Sequence, residues 1–165
     1  MKLRRAVSAD ALQIADMHVR SWQRGYAGLL PRGFLDRLDI GEFAASYTFD
    51  SDEPVTVVAQ DHDGAIRGFV TTAIRPPIGR VMALYVDPDH WREGIGGVLI
   101  NAALDRFRAA DIHQLELWVM IGNERAQAFY RSHGWQPDGT QQRETVRGAV
   151  VDELRFHREI GREGM

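Results

Sequence analysis

Residues 86–99, Val86-Asp-Pro-Asp-His-Trp-Arg-Glu-Gly-Ile-Gly-Gly-Val-Leu99, constrain this chain more than any others. The stretch follows a β-like run and opens an amphipathic helical one, in which Ile95, Val98, Leu99 and Ala102 recur at i, i+3, i+4, i+7. Pro88 has no N–H to give a ladder and ends the strand. The glycines then bring several amides to the first turn of a helix, where they have no intrahelical partner. Unpaired amides at the positive end of a helix dipole favour an anion, above all a phosphate.

A second patterned segment, Asn123 to Trp135, begins about thirty residues further on. Asn123 is placed to cap a short helix, Gly134 to end it in a left-handed C′ conformation, and the segment carries one positioned phenol, Tyr130. Between the two segments, Leu115, Leu117 and Val119 alternate with Glu116 and Trp118, as in a strand.

The rest of the chain supplies a mixed sheet. Leu3–Val7 reads as a first strand, and Ser8 as the cap of a helix from about Ala9 to Gly25. A weaker helical region runs from Pro31 to about Tyr47, broken near Gly41. Residues 55–60 and 66–74 form a hairpin across Asp61-His-Asp-Gly64, and Val81–Val86 is the next strand after a loop at 75–79. Two final strands, about 140–147 and 149–158, turn at Arg147-Gly148. The expected architecture is α/β (α+β mixed): one domain over 1–165, with a twisted mixed sheet of about seven strands flanked by about four helices. The central strand–helix–strand unit should be a parallel crossover.

Length and composition fit this. A chain of 165 residues buries enough surface to need no disulfide or metal, and it has no cysteine for either. The absence of long apolar runs and of a secretory core near Met1 points to a cytoplasmic protein without a membrane span. A net charge of −3 argues against nucleic-acid binding. Asp87, Asp89 and His90, and likewise Asp61, His62 and Asp63, read as solvated loops rather than metal sites.

Two nucleotide-binding motifs fail on residues. A dinucleotide fingerprint requires a third glycine where Leu99 stands, and a P-loop requires Lys and Ser/Thr where Val98 and Leu99 stand. Val86-x-Pro-x-x-Trp-Arg-Glu-Gly-Ile-Gly-Gly-Val-Leu99 instead resembles the acetyl-CoA motif of the GNAT superfamily of N-acetyltransferases. Asn123-x-x-Ala-x-x-Phe-Tyr-x-x-x-Gly-Trp135 resembles that family's second motif. The resemblance covers nearly the whole chain.

It implies acetyl-CoA as co-substrate, no metal, and acetyl transfer to a primary amine of a small molecule or peptide. The backbone of Leu84, Tyr85 and Val86 would pair with the pantetheine arm, and the amides of Arg92, Glu93, Gly94, Ile95, Gly96 and Gly97 would hold the pyrophosphate. Asn123 would touch the cofactor, and Tyr130 would stand near the sulfur as general acid. Two residues depart from the family pattern: Trp91 stands where Gln or Arg is usual, and Glu93 puts an acid beside the phosphates. The catalytic Glu that many members carry on the strand before the motif is absent from Val81-Met-Ala-Leu84. The base is unassigned among water, Asp87, Glu116 and the first helices.

His18, Trp22 and Tyr26 share one face of the first helix, on the side that lines the acceptor in this family, so they form a candidate amine pocket with His18 as a candidate base. The same aromatics equally suit a core or a homodimer surface. A second reading stays open, an acyl-CoA-binding sensor or interaction module without turnover.

Overall fold

The computed structural model describes residues 1–161. β1 (Lys2–Arg5) is followed by a 3-10 turn at 8–10 and α1 (Ala11–Gly25). Then come α2 (Arg32–Asp36), α3 (Ile40–Ser46), β2 (Val55–Gln60), β3 (Ile66–Arg75) and β4 (Ile78–Val86). A 3-10 turn at 88–90 leads to α4 (Ile95–Ala109), β5 (Gln114–Met120), α5 (Glu124–Ser132), β6 (Gln136–Val146) and β7 (Ala149–Glu159). The seven strands form one mixed sheet in the order β1-β2-β3-β4-β5-β7-β6. The break expected near Gly41 falls instead at 37–39, with Gly41 inside α3, so among the described residues five α-helices flank the sheet.

Two starts differ from the sequence expectation. Ser8 does not cap α1; it opens the 3-10 turn, where Asp10 Oδ2 accepts from the Val7 amide at 2.8 Å and binds Arg4. β4 begins at Ile78 because the loop is only the two-proline corner Pro76-Pro77, and Ile78 already pairs with Arg75.

Antiparallel pairs make up the sheet except at its centre, where β4 runs parallel to β5. That pairing covers only Ile78–Arg80 opposite Gln114–Glu116, and the strands part beyond it. The Arg80–Glu116 ion pair at 2.5 Å marks the last rung. Just past it, β3–β4 shifts register between Thr71 and Thr72, leaving Met82 as an unpaired bulge residue. A bulge bends and twists its strand, which suits a strand leaving its neighbour.

One core packs α4 and α5 on one face of the sheet, with Leu99, Phe107, Leu117, Trp135 and Phe156 fully buried. On the other face α1 packs over β2–β4, and α1, α2 and α3 share Trp22, Leu35 and Phe43.

The end of β4 is tied to α1 by charge. Asp87 is only 4% exposed; its oxygens lie 2.9 and 3.2 Å from the Arg20 guanidinium, and Arg67 is 3.6 Å away. It also caps the 3-10 turn by accepting from the Asp89 amide. Asp87 is therefore a buried structural anchor, not the solvated loop residue expected. Burial opposes its charge, yet the bonds from Arg20 and the Asp89 amide overcome this and hold its pKa below the usual carboxylate value. Asp87→Asn should therefore lose about 1–3 kcal/mol in chemical denaturation at neutral pH. The loss should shrink below about pH 4, where wild-type Asp87 approaches its own protonation.

Candidate active site

The parted strands frame a cleft of about 650 Å3 that runs from the first turn of α4 to the C-terminal end of α1. Its walls are the edges of β4 and β5, the first turns of α4 and α5, and Tyr26.

Backbone parity decides which β4 groups face it. The Asp87 amide donates to Arg67 O at 2.8 Å, so this opposed pair is of the bonded class. Classes alternate along an antiparallel ladder, so Tyr85 exchanges its bonds with Phe69, while Leu84 and Val86 turn theirs to the cleft. The expectation of three consecutive residues is corrected in this respect: the Tyr85 main chain is used by β3. Val86 O is also occupied, with Trp91 Nε1 donating to it at 2.9 Å and Ser21 Oγ at the same distance. The Leu84 N–H and C=O and the Val86 N–H remain as the cleft's main-chain groups.

At the other end, Gly94 caps α4 in a left-handed conformation (φ 84°) with no side-chain cap. The first α4 amide bonded back to Gly94 O is that of Val98, so those of Ile95, Gly96 and Gly97 have no intrahelical partner. Arg92 has φ 68° and lines the cleft. Glu93 does not: its exposed carboxylate turns to His90 at 3.1 Å. Gly96 serves packing as much as access, since a Cβ there would sit 3.1 Å from the Phe129 ring of α5. The close approach of the two helices aims both N-termini into one space.

On α5, Asn123 is 8% exposed, and its side-chain oxygen caps the helix by accepting from the Ala126 amide at 3.2 Å, which leaves the NH2 for the cleft. Tyr130 lines the cleft at 9% exposure against Phe129, Trp135 and Phe156. Its hydroxyl makes no hydrogen bond among the described residues. Burial, reinforced by the neighbouring Tyr85 phenol and opposed by Arg125, raises its pKa well above the usual value, so the phenol stays protonated at neutral pH.

The three candidates on α1 separate. Tyr26 lines the cleft, and its hydroxyl lies 3.1 Å from that of Tyr85. Trp22 is a core residue between α2 and α3. His18 is 4% exposed, enclosed by Phe43, Tyr47, Phe69 and Tyr85, with Nδ1 2.8 Å from the Tyr47 hydroxyl. It does not line the cleft, and burial, with help from Arg147, pushes its pKa down to about 3. The other base candidates are engaged as well, Asp87 with Arg20 and Glu116 with Arg80.

Arg125 and His133 are among the cleft residues that the sequence reading missed. Arg125 lays its guanidinium 3.8 Å over the Trp91 ring. His133 is fixed through Nδ1 at 2.9 Å from Phe129 O, with Nε2 facing Gly97. His133 lies four residues after Phe129, so helical spacing was a usable signal for it. The Arg125–Trp91 stack joins two segments far apart in sequence and left none.

Residues 13–135 match the acetyltransferase (GNAT) family, and the chain belongs to that family. It is 30% identical over 139 residues to an uncharacterized N-acetyltransferase of Archaeoglobus fulgidus, an alignment covering 80% of this chain and 90% of that protein. It is 31% identical over 126 residues to the mycothiol acetyltransferase of Clavibacter michiganensis, covering 76% of this chain. The chain spans about 40% of the length of that relative. Among solved structures, the PaiA N-acetyltransferase of Thermoplasma acidophilum in complex with coenzyme A superposes with a TM-score of 0.75. That match has 18% identity and covers 96% of this chain and 98% of the other, so it shows a shared fold.

The buried imidazole sets a pH signature for stability. His18 is neutral in the native state down to about pH 3, whereas an unfolded histidine takes a proton near pH 6.5. Its contribution is therefore complete above pH 6.5 and is lost progressively as pH falls toward 3, by up to about 1.4 kcal/mol per pH unit. Denaturant titrations from pH 7.5 to 4.5 should show a shallower decline for His18→Gln than for the wild type.

Proposed function

We propose that this protein is an acetyl-CoA-dependent N-acetyltransferase that acetylates a primary amine by direct attack. The observation that carries the reading is the notch itself: unpaired amides of Leu84, Val86 and the first α4 turn line the cleft that holds the Tyr130 hydroxyl. Membership of the GNAT family supports acetyl-CoA as the co-substrate.

In this reading the pyrophosphate lies on the Ile95–Gly97 amides, and the pantetheine arm pairs with the free groups of Leu84 and Val86. The Asn123 amide and the Arg92 and Glu93 main chain complete the cradle. The neutral amine attacks the thioester carbonyl, forming a C–N bond while charge moves to oxygen. The Val86 N–H is the donor best placed for that oxygen, because it points out of the β3 ladder. The C–S bond then breaks, and the Tyr130 hydroxyl gives its proton to the departing thiolate. His18 and Trp22 support the Tyr85–Tyr26 wall from behind, and Tyr26 faces the acceptor.

Purified protein should be stabilised by coenzyme A, by about 2.7 kcal/mol when the ligand stands at a hundred times its Kd. Tyr130→Phe should lower kcat about 10²–10⁴-fold and leave coenzyme A affinity within about threefold. A Tyr130→Phe enzyme with normal turnover would remove the acid role. Because Val81–Leu84 carry no carboxylate, a binding module without turnover is the competing reading. It would be favoured by tight coenzyme A binding with no thiol release across a broad amine panel.

A further inference from the structure

The base missing from β4 has a counterpart across the sheet. Leu115, Leu117 and Val119 of β5 are buried against α4 and α5, which turns Glu116, Trp118 and Met120 to the opposite face. Directly opposed residues share a face, so the pairs Glu116–His157, Trp118–Arg155 and Met120–Glu153 place Glu153 on that second face, the α1 side. Trp118 lines the cleft there, together with Tyr26 of α1 and the bulged Met82.

Several other charges on this face are engaged, while Glu144, opposite Val151, is exposed. Arg155 binds Asp138 at 2.6 Å and lies 3.8 Å from Glu116, which itself holds Arg80. Glu153 is different: its hydrogen bond is one accepted from Gln142 Nε2 at 2.9 Å, and it has no ion pair among the described residues. Glu153 is not itself in the cleft wall; it is a half-buried carboxylate on the same sheet face as the lining residue Trp118, and it is short of a cation. Its charge is felt by the Tyr26 and Tyr85 phenols, which in turn are coupled to Tyr130. The surroundings are apolar and open. Met82 is 55% exposed, and Leu29, which leans on Gly122 at the end of β5, is 37% exposed.

We propose that Glu153 anchors the ammonium group of the acceptor and takes its first proton, and that the acceptor is a primary amine carried on an apolar or aromatic body. The proposal rests on the acetyl-transfer reading. The balance is as follows. The ammonium gives one proton to the Glu153 carboxylate, which releases it to solvent, and the freed lone pair attacks the thioester. The nitrogen loses its second proton to solvent as the C–S bond breaks, and solvent returns a proton to the Tyr130 phenolate, which has given its own to sulfur. Besides Tyr26, Tyr85, Glu116 and Arg155, Arg147 at the β6–β7 turn also acts on the Tyr85 phenol.

The test uses the full chain with acetyl-CoA and 2-phenylethylamine, n-hexylamine and ethanolamine as acceptors, and compares 2-phenylethylamine with 2-phenylethanol for binding to the coenzyme A complex. Glu153→Gln should raise KM for 2-phenylethylamine at least tenfold and lower kcat/KM on the order of 10–100-fold, a loss that shrinks as pH rises and the amine deprotonates in solution, with coenzyme A affinity unchanged. Glu153→Asp should recover part of the loss, which a merely structural role would not produce. The wild type should prefer the two apolar amines to ethanolamine, and 2-phenylethylamine to 2-phenylethanol. A Glu153→Gln enzyme with wild-type KM and pH profile, or equal binding of the amine and the alcohol, overturns the proposal. If coenzyme A itself fails to bind, the acetyl-transfer reading falls instead, and that arm is read separately.

Discussion

Two parallel strands that stop pairing after three rungs are the constraint on which this molecule is built. Beyond Arg80 and Glu116 the facing edges of β4 and β5 have no partner in each other. Buried backbone polar groups left without partners are costly, so such a gap must be wet or filled by a ligand with matching donors and acceptors. The neighbouring features maintain it. The Met82 bulge bends β4 away, the Arg80–Glu116 pair holds the last closed rung, and Asp87 ties the far end of β4 to α1. The two helices that follow the parted strands pack through Gly96 and Phe129, so their positive ends converge on the gap.

The protonation states across the cleft are uneven for a physical reason. Burial keeps the Tyr26, Tyr85 and Tyr130 phenols protonated and His18 neutral. None of these can accept a proton readily near neutral pH. Their environment selects uncharged forms and so supplies donors. Basicity has to enter from a group that retains access to water, and among the described residues the α1 face carries Glu116, Glu144, Glu153 and His157. Glu116 is neutralised by Arg80 and approached by Arg155, whereas Glu153 is half-buried and has no ion pair among the described residues. The division between a dry donor side and a half-exposed acceptor side follows from which strands the helices cover.

Much of this was legible in the sequence, and what was not shares a cause. The strand at 55–60 and the helix over 95–109 stand where local patterning put them, because apolar periodicity and glycine chemistry act over a few residues. β6 begins at Gln136, before the expected 140, and so includes Pro137 and Gly139. β6 is one of the sheet's two edge strands, where a missing N–H is tolerated and a local irregularity between Pro137 and Gln141 absorbs the turn. The role of Tyr85 could not be read, since it depends on which edge its amide faces, and ladder register alone decides that. His18 and Trp22 do share a helix face with Tyr26, but spacing cannot say that Phe43 of α3 and Tyr85 of β4 close over the first two. Glu153 depends on a cross-strand neighbour more than thirty residues earlier, so nothing local marks it.

The departures at Trp91 and Glu93 bear on how such a site tolerates change. Both suggested weakened phosphate binding, one by losing a polar side chain and one by adding charge. In the folded chain the Trp91 indole donates to Val86 O and carries Arg125 on its face, so it closes the wall where β4 ends. Glu93 faces His90 and solvent. The main-chain donors for an anion are the amides at the start of α4, and these are set by the left-handed turn at Gly94 rather than by the side chains at 91 and 93. A site whose anion contacts are backbone can vary at positions 91 and 93 so long as the turn is kept. Position 94 is different: its φ of 84° is strained for any side chain, although the space around it is open.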